Sequence, residues 1–155
     1  MSNEGKVEAI HVATEAGTTV ESADAVEAVA GRGLRGDRYF DEEGTFSGVE
    51  GGGRDLTLIE AEAVEAIEQE SGIRLEPGEH RRNVTTRGVA LSHLVGERFR
   101  VGGVVCEGVR LCEPCGHLQS LTEDGVVDAL THRGGLRADI VDDGTIRVGD
   151  PVVSL

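Results

Sequence analysis

The sequence predicts a mainly β (α+β) fold, a closed or partly open β-barrel carrying one longer helix and one or two short ones. Three observations point there. Short runs rich in Val, Ile, Leu and Thr recur along the chain, bounded by Gly, Asp and Pro. Only one stretch, Glu60 to Gln69, holds a helical apolar period long enough for a full helix. The runs do not alternate strand with helix, which argues against repeated βαβ units and a layered parallel sheet. A chain of 155 residues fits one domain and can bury a core without disulfides or a structural metal. We therefore expect a single domain over residues 1–155, with its core at about 6–153.

Taken in order, Lys6 to Val12 alternates weakly and reads as a strand with no clear inside face, His11 falling in phase with Val7 and Ala9. Thr14 to Ser22 reads as a polar loop. Ala25 to Ala30 reads as a second strand, ending in the glycine-rich Gly31-Arg32-Gly33-Leu34-Arg35-Gly36-Asp37-Arg38. The glycine spacing fits neither the dinucleotide fingerprint nor the Walker loop, and no helix pattern follows it. Asp41 to Arg54 is acidic and ends near Gly51-Gly52-Gly53, a surface loop that could serve as linker or lid. Leu56 to Ile59 reads as a buried strand, and the helix after it places Ala61, Val64, Ala66 and Ile67 on one side and glutamates on a solvated face, stopping at Gly72. Val84 to Thr86 is a further strand, and Leu91 to Val95 a short helical turn. Arg98 to Val101 and Val104 to Leu111 form a hairpin about Gly102-Gly103. Glu123 to His132 suggests a short helix. Leu136 to Val141 and Thr145 to Val148 suggest a closing hairpin about Asp142-Asp143-Gly144, ended by Gly149-Asp150-Pro151.

Charge excludes some partners. The formal net charge is −14, and 14 of the 15 basic residues are Arg. Such a surface repels nucleic acid and anionic membranes. It also suits a protein that works in concentrated salt, where self-repulsion is screened within a few ångströms. Two islands run against the trend: Arg32, Arg35 and Arg38 beside Asp37, and Arg81, Arg82 and Arg87. Clustered guanidiniums in an acidic chain suggest convergence on an anion, against the alternative of local ion pairs on the surface. An odd number of cysteines, three, no signal-peptide pattern and no long apolar span together point to reducing cytoplasm.

Chemistry concentrates at Leu111-Cys112-Glu113-Pro114-Cys115-Gly116-His117. Two thiols separated by two residues can chelate zinc, cycle as a dithiol, or offer a thiolate to a soft metal or a persulfide. The turn-forming Glu113, Pro114 and Gly116 place both sulfurs at a strand end near solvent. A zinc set of Cys106, Cys112, Cys115 and His117 has suitable donors, but its spacing is crowded for two ligand knuckles. A thioredoxin-like use of the pair needs a later proline facing it, and the sole candidate, Pro151, lies at the chain's end. His93, His117 and His132 are scattered, and Ser92 with His93 cannot both face one site from a strand.

Six motifs in order carry a resemblance: Gly33-Leu34-Arg35-Gly36-Asp37-Arg38, Leu58-Ile59-Glu60, Arg81-Arg82-Asn83-Val84, Leu94 to Gly102, Cys112-Glu113-Pro114-Cys115, and Gly144 to Val152. Together they resemble a MOSC domain, named for the C-terminal domain of molybdenum-cofactor sulfurases, over essentially the whole chain. The resemblance implies a barrel of the pyruvate kinase barrel-domain type and a role around the molybdenum cofactor (molybdopterin). It implies Cys115 as metal ligand and catalytic residue, with Asp37, Arg38, Arg81, Arg82 and Asn83 around the cofactor. It implies either reduction of N-hydroxylated small molecules, with an electron-transfer partner, or carriage of sulfur or cofactor through a persulfide supplied by a cysteine desulfurase. The alternative is a small zinc-binding or thiol redox protein using Cys112 and Cys115. Two departures stand out: the loop near Thr14, Glu15 and Gly17 lacks the cationic residue used by reductases of the group, and the pyridoxal-phosphate-dependent desulfurase half has no counterpart in this sequence.

Overall fold

The structure is a computed structural model and describes residues 4–12, 21–31, 33–35, 55–73, 82–112 and 135–155. Its strands are β1 (Glu4–Val12), β2 (Glu21–Ala23), β3 (Ala25–Val29), β4 (Gly33–Leu34), β5 (Leu56–Glu60), β6 (Val84–Arg87), β7 (Arg98–Val101), β8 (Val104–Leu111), β9 (Leu136–Ile140), β10 (Gly144–Arg147) and β11 (Pro151–Ser154). Helix α1 (Ala61–Ser71) follows β5, and a 3₁₀ turn spans Leu91–Leu94.

Seven strands close a barrel in the order β1-β6-β5-β9-β8-β7-β11, with β11 returning to pair with β1. An odd ring cannot reverse direction at every step, so an antiparallel closure is impossible without one parallel pair. That pair is β5–β6, and α1 lies in the connection a parallel pair needs. The barrel is the mainly β fold expected from the sequence.

Both faces of β5 are buried, which explains the unbroken apolar run: Leu56 and Leu58 enter the barrel core, while Ile59 is enclosed on the opposite face. Val7, Ile10, Val84, Phe99, Val101, Val104, Leu136 and Ala138 are among the residues that share this interior. A second sheet, β10-β3-β4, adds Val26, Ala28, Leu34 and Ile146 to the same core.

This second sheet corrects the closing hairpin. β9 pairs with β8 and β5, whereas β10 leaves the barrel and pairs with β3, through Ile146↔Val26 and Thr145↔Glu27. The turn at 142–143 joins two sheets. Its Asp143 carboxylate accepts a hydrogen bond from the Ala30 N–H at 2.7 Å, bracing the joint. The chain also continues past Gly149, which takes φ +93, into β11, and Pro151 begins that strand, where it is tolerated. Glu21 and Ser22, expected in a loop, lie in β2 and pair with Val12 and His11.

Helix α1 ends as its sequence predicts, Gly72 taking the left-handed conformation (φ 69) and donating its N–H to the Glu68 carbonyl at 3.0 Å. Its acidic side is not simply solvated. Glu62 accepts the Gly88 N–H at 2.8 Å, and Glu65 joins Glu8 in holding the Arg87 guanidinium, at 2.7 and 2.6 Å. Glu60, at the N-cap, is half-buried; burial raises its carboxyl pKa, against the lowering effect of a hydrogen bond from the Leu91 backbone.

Candidate functional site

Arg82 and Asn83 stand immediately before β6, and Cys112 immediately after β8. Arg82 is buried, and its Nη2 donates to the Cys112 carbonyl at 2.9 Å. Arg82 of the second basic island and the first cysteine of the motif, 30 residues apart in sequence, therefore meet in the fold. A guanidinium withdrawn from water persists only where acceptors receive it, so this placement is a constrained one. The Cys112 N–H in turn donates to the Gly135 carbonyl at 2.8 Å.

Cys112 is 2% exposed, which corrects the expectation of a solvent-facing sulfur at that position. Close packing is the reason. Gly135 takes φ +116, and a side chain there would strike the Leu58 carbonyl, so β9 presses against β5 where Cys112 is seated.

Asn83 binds protein on every side that hydrogen bonds describe. Its Oδ1 accepts from the Thr57 N–H and the Thr57 hydroxyl, both at 3.1 Å, and its Nδ2 donates to the His11 carbonyl at 3.1 Å. Its own N–H donates to Thr57 Oγ1 at 3.0 Å, and its carbonyl accepts from the His11 N–H at 2.6 Å. The residue thus ties β1, β5 and β6 together and fixes the backbone from which Arg82 extends. His11 and Thr57 are buried with it, and burial lowers the His11 pKa below its ordinary value. Thr57 was missed by the sequence reading; its one signal was a hydroxyl inside an otherwise apolar run.

Cys115, Asp37, Arg38, Arg81, Arg32 and His117 lie outside the described residues, as do the expected loop at 41–54 and the helix at 123–132. Two arginines of the islands are held elsewhere than at the cysteine segment. Arg35 meets Glu27 at 2.5 Å on the surface, and Arg87 is gripped by Glu8 and Glu65, which raises its pKa. Local ion pairs are the arrangement at these two positions.

Cys106 belongs to the core, opposite Phe99 and Ile140. Burial, helped by the Asp55 carboxylate, pushes its thiol up to about 12. An uncharged core thiol is a poor zinc ligand, which removes one donor from the zinc set. Among the described residues no group of three His, Cys, Asp or Glu is placed to hold a metal ion, and no helix is long and apolar enough to cross a membrane.

Fold and site together define a β-barrel domain that seats a cysteine segment against a buried arginine. The chain belongs to the MOSC domain family, whose model matches residues 43–153, and this family is associated with the molybdenum cofactor. Among solved structures it is similar to the YuaD protein from Bacillus subtilis, with a TM-score of 0.76 and 18% identity, covering 96% of this chain and 94% of that one. It is also similar to YiiM from Geobacillus stearothermophilus (TM-score 0.74, 15% identity, 97% and 75% covered) and to YiiM from Escherichia coli (0.68, 17%, 98% and 69%). At these identities the likeness is one of fold. No match to the chain was found among the curated proteins.

The donor chemistry at the site fits the family's cofactor. A phosphorylated pterin takes a forked cation, and among the described residues Arg82 is one, bonded to the backbone of the segment whose cysteines would offer the soft sulfur that molybdenum takes.

Proposed function

We propose that this chain binds the molybdenum cofactor, with Cys115 as thiolate ligand and Asp37, Arg38, Arg81 and Arg82 around the phosphate and pterin. Asn83 enters through its hold on Arg82. The observation that carries this reading is the 2.9 Å hydrogen bond from Arg82 to the Cys112 carbonyl, which puts one arginine of the basic island beside the start of the cysteine segment. When bound, the cofactor supplies a metal centre for two-electron and atom-transfer chemistry.

The chain's own groups have separable tasks. Arg82 brings positive charge beside the segment that leads to Cys115, which favours a thiolate three residues on. The Asn83–Thr57–His11 hydrogen bonds keep that charge in place. We read the activity first as reduction of N-hydroxylated small molecules, in which two electrons from a partner protein and two protons convert an N–OH to an N–H and release water. The second use is sulfur carriage. There the outer sulfur of a desulfurase persulfide passes to the Cys115 thiolate and the donor thiolate leaves.

Co-expression with the cofactor pathway, followed by metal analysis, tests the binding. Wild type should carry near-stoichiometric molybdenum, and Cys115→Ser and Arg82→Gln roughly tenfold less or lower. Equal, negligible molybdenum in wild type and Cys115→Ser overturns the proposal. Hydroxylamine reduction with an artificial electron donor, set against mass spectrometry for a persulfide on Cys115, separates the two uses.

A further inference from the structure

Glu60 closes the Leu58-Ile59-Glu60 motif, which the site leaves unused. It stands at the N-cap of α1, where a side-chain oxygen ordinarily receives the helix's own first N–H groups, yet it makes no such bond. Its carboxylate accepts the Leu91 N–H instead, at the start of the 3₁₀ turn. Ala90 precedes that turn and offers it no side-chain cap, so an N–H left over at its start is satisfied from across the fold.

The turn is held from two sides. On one, carboxylates grip the chain that enters it: Glu62 accepts the Gly88 N–H at 2.8 Å, and Arg87 lies between Glu8 and Glu65. On the other, the Leu94 carbonyl packs so closely on Gly108 of β8 that a Cβ there would strike it, and Val95 bridges to the same glycine. β8 bulges just beyond, its register with β9 shifting between Gly108 and Arg110, and runs on to Leu111, after which comes Cys112. Leu91–Leu94 thus spans the distance from Glu60 to the strand that leads to the cysteine segment. Leu91 and Leu94 are both buried, which keeps the turn seated while its contact with Glu60 changes.

That contact depends on charge. An ionised carboxylate receives an N–H about twice as strongly as a neutral acceptor does. Among the described residues, burial opposes the charge on Glu60 most, the Leu91 N–H favours it, Glu62 on the same helix opposes it and His93 on the turn favours it; the balance leaves its pKa raised. On taking a proton it loses part of its hold on Leu91 and its attraction to His93. Glu65, whose pKa Arg87 lowers, keeps its charge to lower pH, so the chain stays anchored at Arg87 while it loosens at Leu91. Gly88, with φ 86, is the pivot between the two. Because the folded chain binds this proton more readily than the unfolded one, the release is local and the barrel stays folded.

We propose that Glu60 is a proton-operated latch on the 3₁₀ turn: ionised, it holds the turn against Gly108; protonated, it lets the turn ease and moves the strand that leads to Cys112. The functional reading above enters only in what that cysteine segment goes on to do.

Hydrogen exchange and amide NMR on the chain without cofactor test the latch. At pH 7.5, Glu60→Gln, whose amide copies the uncharged acid, should show a protection factor at Leu91 about tenfold below wild type, the ratio between a charge-assisted bond and a neutral one. Its amide signals at Leu94, Gly108 and Cys112 should move as well. In wild type the same signals should shift the same way as the pH falls, with one midpoint above the ordinary glutamate value of 4.5 and equal to that of the Glu60 carboxyl carbon. His93→Gln should keep this movement, which marks Glu60 as its source. Unchanged protection at Leu91 in Glu60→Gln, different midpoints for carboxyl and amides, or a movement lost in His93→Gln overturns the latch. Signals that move at Leu91 and stop short of Gly108 overturn its link to the cysteine strand. Should Glu60→Gln not fold, the carboxyl and amide midpoints of wild type decide alone. None of these readouts involves molybdenum, so a failed cofactor reading leaves them as they are.

Discussion

Asn83 is a residue whose amide can sit only one way round. The Thr57 N–H can only donate and the His11 carbonyl can only accept, so Oδ1 must face the first and Nδ2 the second. Asn83→Asp turns an acceptor toward the His11 carbonyl, and Asn83→Ala leaves both partners buried and unmatched. Each change should cost about 2–4 kcal/mol, since two buried polar groups lose their bonds. Urea unfolding measures it, and a loss below about 0.5 kcal/mol in both variants would contradict the bracing role. His11 adds a pH dependence. Its folded pKa is lowered by burial, so the unfolded chain binds the proton more readily. Stability is therefore complete above the ordinary value of 6.5 and falls as the pH drops below it. The raised Glu60 carboxyl acts in the opposite sense nearer its own range. His11→Gln should flatten the fall in urea midpoint between about pH 7.5 and 5.5; an unchanged slope would remove His11 as its source. The run Arg81-Arg82-Asn83 stood out in the sequence, and the structure shows Arg82 and Asn83 buried and bonded to protein there. The sequence could not show that Cys112 is buried, because that depends on how closely β9 approaches β5 at Gly135, a contact between residues far apart in the chain.

Two bulges account for much of what patterning missed among the strands. In β1 the register with β6 shifts between Val7 and Ala9, so Val7 and Ile10, three apart, both enter the core and His11 turns to the other face. A strict period of two cannot express this, and the strand read as having no inside. The hairpin about Gly102-Gly103 was legible because it is local: its register runs Val101↔Val104 to Arg98↔Glu107 without a break. The partner of β10 was not, because β3 lies more than a hundred residues earlier and adjacency in sequence favoured β9. The β8 bulge leans on Gly108, where a Cβ would strike the Leu94 carbonyl. Leu94 ends the 3₁₀ turn, and Val95 bridges to Gly108, so the glycine is the seat on which that turn rests. Gly108→Ala should destabilise by about 2–4 kcal/mol through overpacking against backbone. It should also perturb the amide signals of Arg110 and Cys112 in NMR spectra, since the strand beyond the bulge must move. A variant as stable as wild type with unmoved signals would show that the close approach does not constrain β8.

For the whole molecule, 29 acidic residues against 15 basic ones set two electrostatic effects in opposition. Salt screens the ion pairs of Arg87 and Arg35, which weakens the fold slightly, because exposed pairs contribute little to begin with. Salt also screens the mutual repulsion of the excess carboxylates, which strengthens it. Repulsion acts over many pairs at long range, and so it should dominate. The Debye length shrinks from about 30 Å at 0.01 M to about 10 Å at 0.1 M and about 3 Å at 1 M. Most of the screening gain should therefore arrive below about 0.5 M KCl, with a slower rise beyond. A gain of about 1–2 kcal/mol corresponds to an increase in Tm of roughly 3–8 °C for a chain of this size. Glu68→Gln, on the exposed end of α1, should raise Tm in low salt and reduce its dependence on KCl. A flat or falling Tm from 0.01 to 1 M KCl would show that the ion pairs outweigh the repulsion, and that the acidic excess was not an adaptation to concentrated salt. The same titration bears on the site: salt should weaken the hold of the arginines on a phosphate while it tightens the barrel that carries them. Ligand affinity and fold stability should move in opposite directions along one salt axis, an outcome that a single global loosening or tightening of the protein cannot produce.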